Sequence, residues 1–189
     1  MKIERLAPEG PVVIIPKVFN DERGYFFESF NEKEFKEKVA DVDFVQDNES
    51  MSVENTVRGL HFQKPPYAQA KLVRVVNGAV IDVVVDIRKG SPTYGQYFKA
   101  YLSETNHRQF FVPRGFAHGF VALKADTVFQ YKCDNFYNKD SEGCVLYNDE
   151  TIGIPWENWV HESQRIVSDK DKKGVSFKDF DSPFIYKEK

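Results

Sequence analysis

The sequence predicts an all-β fold, a sandwich or barrel, from three observations. Aromatic residues make up 15% of the 189 residues, with 17 phenylalanines and 9 tyrosines, a content that suits strands better than a helical bundle. Short β-branched and apolar runs alternate with Gly, Pro, Asn and Asp clusters at the spacing of a sandwich or barrel. Only two stretches carry helical signals. The length suits one domain with a large core, so residues 1–189 are expected to form a single domain ending in a partly irregular C-terminal tail.

Taken in order, Asn31 is expected to cap a short helix whose Phe35 and Val39 share a face. Residues 58–63 then read as strand. Residues 70–76 and 79–87 are strongly apolar runs joined by Asn77-Gly78, which predicts a two-residue hairpin whose central residues both take positive φ. Turns are expected at Gly90-Ser91-Pro92 and Glu104-Thr105-Asn106, and strands at residues 97–102, 109–112, 118–123 and 127–133. A second helical stretch is expected around residues 168–173. The lysine-rich segments 170–173 and 187–189 are expected to be solvated or frayed. No internal repeat or low-complexity segment interrupts this pattern.

Composition narrows the partners. The formal net charge is -3 with both signs interspersed, which argues against a nucleic-acid-binding face and against a basic helix on a membrane surface. Residues 1–8 contain no apolar core of signal-peptide length, and no later run approaches membrane-spanning length. A cytoplasmic location is therefore expected. Cys133 and Cys144 lack zinc-like spacing and are expected there as reduced thiols packed in the core.

His61, in the run Arg58-Gly59-Leu60-His61-Phe62-Gln63, is the first candidate for chemistry, because an imidazole exchanges protons near neutral pH. A lone strand histidine is commonly a packing residue, so its neighbours decide. In the hairpin register, Val73 faces Asp82, which sets Lys71, Asp82 and Asp86 on one sheet face. Two readings fit that face. One is an ordinary ion pair on a wet surface. The other is a polar cavity inside the sandwich, in which Lys71 meets a ligand and Asp82 holds the lysine in place.

Pro113-Arg114-Gly115-Phe116-Ala117-His118 resembles the second motif of the cupins, whose histidine ligates a metal. The first motif, a His-x-His pair followed by a glutamate, is missing, since His61 is followed by Phe62-Gln63-Lys64. His107 and His161 have no ligand spacing. Two potential ligands fall short of the three that a catalytic metal site normally uses, so no metal is expected.

A broader resemblance rests on motifs along nearly the whole chain. These are Asp21-Glu22-Arg23-Gly24-Tyr25-Phe26-Phe27-Glu28, Gln46-Asp47-Asn48, Arg58-Gly59-Leu60-His61 and Lys71-Leu72-Val73-Arg74-Val75. They continue with Gly90-Ser91-Pro92, Pro113 to Phe120, Gln130-Tyr131-Lys132-Cys133 and Ser168-Asp169-Lys170-Asp171. In this order they resemble the dTDP-4-dehydrorhamnose 3,5-epimerase family. The resemblance implies a metal-free, cupin-like jelly roll that needs no cofactor, acts as a homodimer, and converts dTDP-4-dehydro-6-deoxy-D-glucose on the way to dTDP-L-rhamnose.

The residues suit that chemistry. A C4 ketone acidifies the C3 and C5 protons, but removing one still requires a positioned base and a cation for the enolate. His61 is the candidate base and Lys71 the candidate cation, with Arg58 contributing or holding the diphosphate. By resemblance, Asp171 orients His61 and Tyr131 returns the proton on the opposite face. Asp169 lies close enough to exchange places with Asp171. The family pattern further implies substrate contacts from Arg23, Glu28, Gln46, Asp47, Asn48, His118, Glu142 and Lys170, and base stacking by Tyr137. Arg23 and Glu28 are expected from a neighbouring subunit. Lys172-Lys173-Gly174-Val175 departs from the family, which usually brings a proline there. Competing readings are an enzyme inverting one carbon, a ketoisomerase, a non-catalytic nucleotide-sugar-binding module and a metal-dependent cupin oxygenase.

Overall fold

The computed structural model describes residues 1–187; Glu188 and Lys189, part of the expected lysine-rich end, lie outside the described residues. The chain begins with β1 (Lys2–Arg5), β2 (Val12–Ile15), the small hairpin β3 (Phe19–Asp21) and β4 (Gly24–Phe26), and helix α1 (Glu32–Lys38). Next come β5 (Gln46–Ser52), β6 (Thr56–Gln63), β7 (Lys71–Asn77), β8 (Ala79–Asp86) and β9 (Arg88–Lys89). They are followed by β10 (Tyr97–Ser103), β11 (Gln109–Val112), β12 (Phe116–Ala122) and β13 (Thr127–Cys133). In the remainder, β14 (Glu142–Cys144), β15 (Ile166–Val167) and β16 (Phe184–Ile185) are separated by pairs of short 3-10 turns. Asn31 caps α1 as expected, its side chain accepting the Glu34 N–H at 3.0 Å.

Two sheets form a cupin-like jelly-roll sandwich. One runs β1-β2-β11-β7-β13-β5, and the other β10-β8-β12-β6-β14 with β15 parallel to β6. Val73, Val75, Phe110 and Phe129 of the first sheet meet Val80, Val84 and Phe120 of the second. The outer face of the second sheet is covered too, since Leu60, Val83, Val85 and Val121 pack under Tyr147, Ile154, Trp156 and Val160. On the outer face of the first sheet, Leu72 and Phe111 pack against Phe35 and Val39. Central strands covered on both sides can be apolar on both faces, which explains why β8 is apolar except at Asp82 and Asp86.

The expected Asn77-Gly78 hairpin does not form. β7 pairs with β11 and β13, whereas β8 pairs with β10 and β12, so the turn carries the chain from one sheet to the other. Gly78 has φ +84 but Asn77 does not take positive φ, and the favoured hairpin turn needs both. The local signal identified two strands and a reversal, yet each strand gains two partners by entering a different sheet. Lys71 and Asp82 consequently face each other across the sandwich and not along one sheet.

The C-terminal segment also differs from expectation. Instead of a helix over 168–173 there is one 3-10 turn, Asp171–Lys173, and it carries Asp171 into the interior, where it is 4% exposed. Segment 170–173 is thus anchored, although Lys172 and Lys173 themselves remain exposed.

Candidate active site

A local irregularity in β6 aims the site. His61 pairs with His118 and Arg58 with Phe120, so three steps along β6 match two along β12. The extra residue is a bulge at Gly59 (φ +128), where a Cβ would lie 2.6 Å from the Gly119 Cα. In an unbroken strand, residues 58 and 61 would point to opposite faces. Here Arg58 reaches the first sheet, its Nε donating to Ser52 Oγ at 3.0 Å, while Val57, Leu60 and Phe62 pack outward.

His61 is held by Asp171, with Nε2 2.6 Å from Oδ1. A carboxylate only accepts, so Nε2 carries the proton of this pair and Nδ1 is left as the acceptor of the neutral ring. The other Asp171 oxygen accepts the Gly59 N–H at 3.3 Å. Burial works to raise the Asp171 carboxyl, but hydrogen bonds led by that of His61 outweigh it and hold the group below the usual 3.8. Asp169 points to solvent, its nearest cation Lys172 at 3.9 Å.

The opposite wall comes from the first sheet. Lys71 and Tyr131 sit together, with Nζ 5.5 Å from the ring centroid. Burial lowers the Lys71 ammonium, against the pull of Cys133 and Asp82. Burial raises the Tyr131 phenol, Cys133 adds to the effect, and Arg58 opposes it. Behind Lys71, Asp82 is fully buried and accepts from His118 Nε2 at 2.9 Å through both oxygens; burial raises its carboxyl despite that partner.

His61, Lys71 and Tyr131 line one cleft of about 350 Å³. Gln46, Asn48, Tyr137, Glu142 and Lys170 also line it, and Lys170 donates to Glu142 at 2.6 Å. Two other hollows, of about 890 and 250 Å³, contain neither His61 nor Lys71. Strand alternation separates Asp47 from its neighbours, sending it outward to Lys132 at 3.0 Å. His118 is buried behind the cleft wall. Arg23 and Glu28 do not line the cleft either; Arg23 is bonded to Asp21 on the protruding β3–β4 hairpin.

Two neighbours of the site escaped sequence reasoning. Gln63, 6% exposed, donates through Nε2 to the carbonyls of Tyr67 (2.7 Å) and Phe136 (3.1 Å) and accepts the Asn138 N–H at 2.7 Å. Both backbone flanks of Tyr137 are therefore tied to one amide, and Gln46 accepts the Tyr137 N–H itself at 3.0 Å. Cys144 pairs in register with His61 across β14 and β6. Burial, with the Asp171 carboxylate adding to it, pushes the Cys144 thiol up to about 11. No motif marks either residue, since both are placed by pairing between distant segments.

Such groups can take a proton from carbon, steady the resulting charge and return a proton, which is the work of an epimerase on a cupin-like jelly roll. Residues 5–179 match the family model described as dTDP-4-dehydrorhamnose 3,5-epimerase. The Shigella flexneri dTDP-4-dehydrorhamnose 3,5-epimerase is 51% identical over 179 residues, covering 93% of this chain and 97% of that protein. Its Salmonella typhimurium counterpart is 55% identical over 157 residues, covering 82% and 86%. A solved Legionella pneumophila dTDP-6-deoxy-D-glucose-3,5-epimerase, in complex with dTDP-4-keto-L-rhamnose, superposes with a TM-score of 0.92 at 40% identity, covering 99% of each chain. The chain belongs to the dTDP-4-dehydrorhamnose 3,5-epimerase family.

Proposed function

We propose that the chain inverts C3 and C5 of dTDP-4-dehydro-6-deoxy-D-glucose, a step in making dTDP-L-rhamnose. The observation that carries this is the Asp171-held His61 opening on the same cleft as Lys71 and Tyr131. His61 Nδ1 takes the proton next to the C4 ketone, and Asp171 steadies the imidazolium that forms. Lys71 faces the enolate oxygen, with Asp82 acting on it through space from behind while itself bonded to His118. Tyr131, kept protonated by its burial, delivers a proton to the opposite face of the carbon. Both steps are proton transfers and call for no cofactor.

The nucleotide occupies the outer part of the cleft, where Tyr137 stacks on the thymine and Gln46, Asn48 and Lys170 supply polar contacts. Arg58 serves the diphosphate. Arg23 and Glu28 reach the cleft from a second copy of the chain in a homodimer. Phe19, Tyr25 and Phe26 on the β3–β4 hairpin are 52%, 60% and 70% exposed, which suits burial against that copy. Each subunit acts as one domain. The unpaired Cys133 and Cys144 suit a reducing compartment such as the cytoplasm.

Incubation with dTDP-4-dehydro-6-deoxy-D-glucose in deuterated water tests the assignment. Deuterium at both C3 and C5, with formation of the L-sugar, is expected. Deuterium at C3 alone would contradict it, and binding without any exchange would make the chain a nucleotide-sugar-binding module.

A further inference from the structure

Cys144 plays no part in the proton transfers above, yet its register pairing sets it beside His61 on β6. With Asp171 on the 3-10 turn it completes a cluster in which a histidine nitrogen, the sulfur and a carboxylate oxygen all lie within 4.8 Å of one another. The donors come from three separate segments, so the fold itself brings them together. Imidazole, sulfur and carboxylate make a donor set for zinc and similar borderline ions, whereas magnesium and calcium favour oxygen alone. Zinc bonds of roughly 2.0–2.3 Å set tetrahedral donors roughly 3.3–3.8 Å apart, so binding requires Nε2 and Oδ1, 2.6 Å apart without the ion, to separate and any wider pair to close. The His61 side chain is 38% exposed, which leaves an approach from the cleft.

We propose that His61, Cys144 and Asp171 form a binding site for Zn²⁺ or Co²⁺, with water as fourth ligand, and that the bound ion switches off His61 as a base. This second part rests on the proposed role of His61. In the ion-free pair, Nε2 holds the proton and Nδ1 the free lone pair. Coordination through Nε2 moves that proton to Nδ1, while the thiol proton passes to solvent. The nitrogen that would accept the substrate proton is then already occupied.

Co²⁺ added to the intact protein tests the site without reference to catalysis. A sulfur-to-cobalt charge-transfer absorption is expected in the native protein and is expected to vanish in Cys144→Ser and Cys144→Ala. Zn²⁺ should abolish solvent exchange into substrate in the native protein. Cys144→Ser, with native exchange when no metal is added, should need at least about tenfold more Zn²⁺ for the same loss. Absence of the absorption would overturn the site, as would equal zinc sensitivity in the two proteins. Absorption without loss of exchange would overturn the switching-off. Failure of His61 as the base would show separately, as exchange persisting in metal-free His61→Ala.

Discussion

Burial acts oppositely on the two charged groups that meet inside the sandwich. It lowers the Lys71 ammonium from its ordinary 10.5 and raises the Asp82 carboxyl from 3.8. A lysine is charged below its pKa, so the cation proposed to face the enolate is lost as pH rises through a point below 10.5. The rate should therefore fall on the alkaline side before an ordinary lysine would titrate, and Lys71→Arg, though slower, should keep its rate to higher pH. A pH profile of exchange for the two proteins checks this. Tyr131 cannot supply that limb, because its phenol is raised above 10.0 and stays a donor over the same range. At the other wall, the sequence left Asp169 and Asp171 as rivals. One turn decides between them, turning Asp171 inward to His61 and leaving Asp169 in solvent.

The elements around the cleft differ in how far local sequence specifies them. Strands β11 and β13 end where turn chemistry begins, and both were legible as short apolar runs between turns. The Asn77-Gly78 reversal was legible as a reversal but not as a change of sheet, because pairing partners are a long-range property. Arg58-Gly59-Leu60-His61 was legible as a motif, while the reason for its glycine emerges only from the bulge that turns Arg58 and His61 the same way. Gln63 was given no role and Cys144 was read as a core thiol, since their roles depend on β6 meeting loops and strands far along the chain. Gln63 yields a test at this scale. Gln63→Leu should free both flanks of Tyr137, raising KM about tenfold or more, from a loss of at least 1.4 kcal/mol in ground-state binding, with kcat near native. Steady-state kinetics measure that split, and an equal loss in kcat would argue against a positioning role.

The molecule as a whole stacks a polar site inside a largely apolar sandwich, and the covering C-terminal segments both close the outer core and deliver Asp171. Its rim is held by a buried ion pair. Asp86 accepts from Arg88 Nε at 2.9 Å and Nη2 at 2.6 Å, and from Ser91 and Thr93 at 2.6 and 2.7 Å. Burial works to raise Asp86, but these bonds, led by Arg88, hold it below 3.8. Stability from a depressed carboxyl is present above its unfolded pKa and lost as pH falls through the lower folded value. Arg88→Met should cost about 3–5 kcal/mol at neutral pH by leaving a buried charge unpaired, and the gap to native should narrow below pH 3.8. Urea unfolding at the two pH values measures it. For function, one Asp171-held imidazole is proposed to start both inversions from inside this sandwich. Deuterium incorporation at C3 and C5 by His61→Ala tests that most directly: folded protein with no label at either carbon is the expected result, and label at either carbon at the native rate would contradict it.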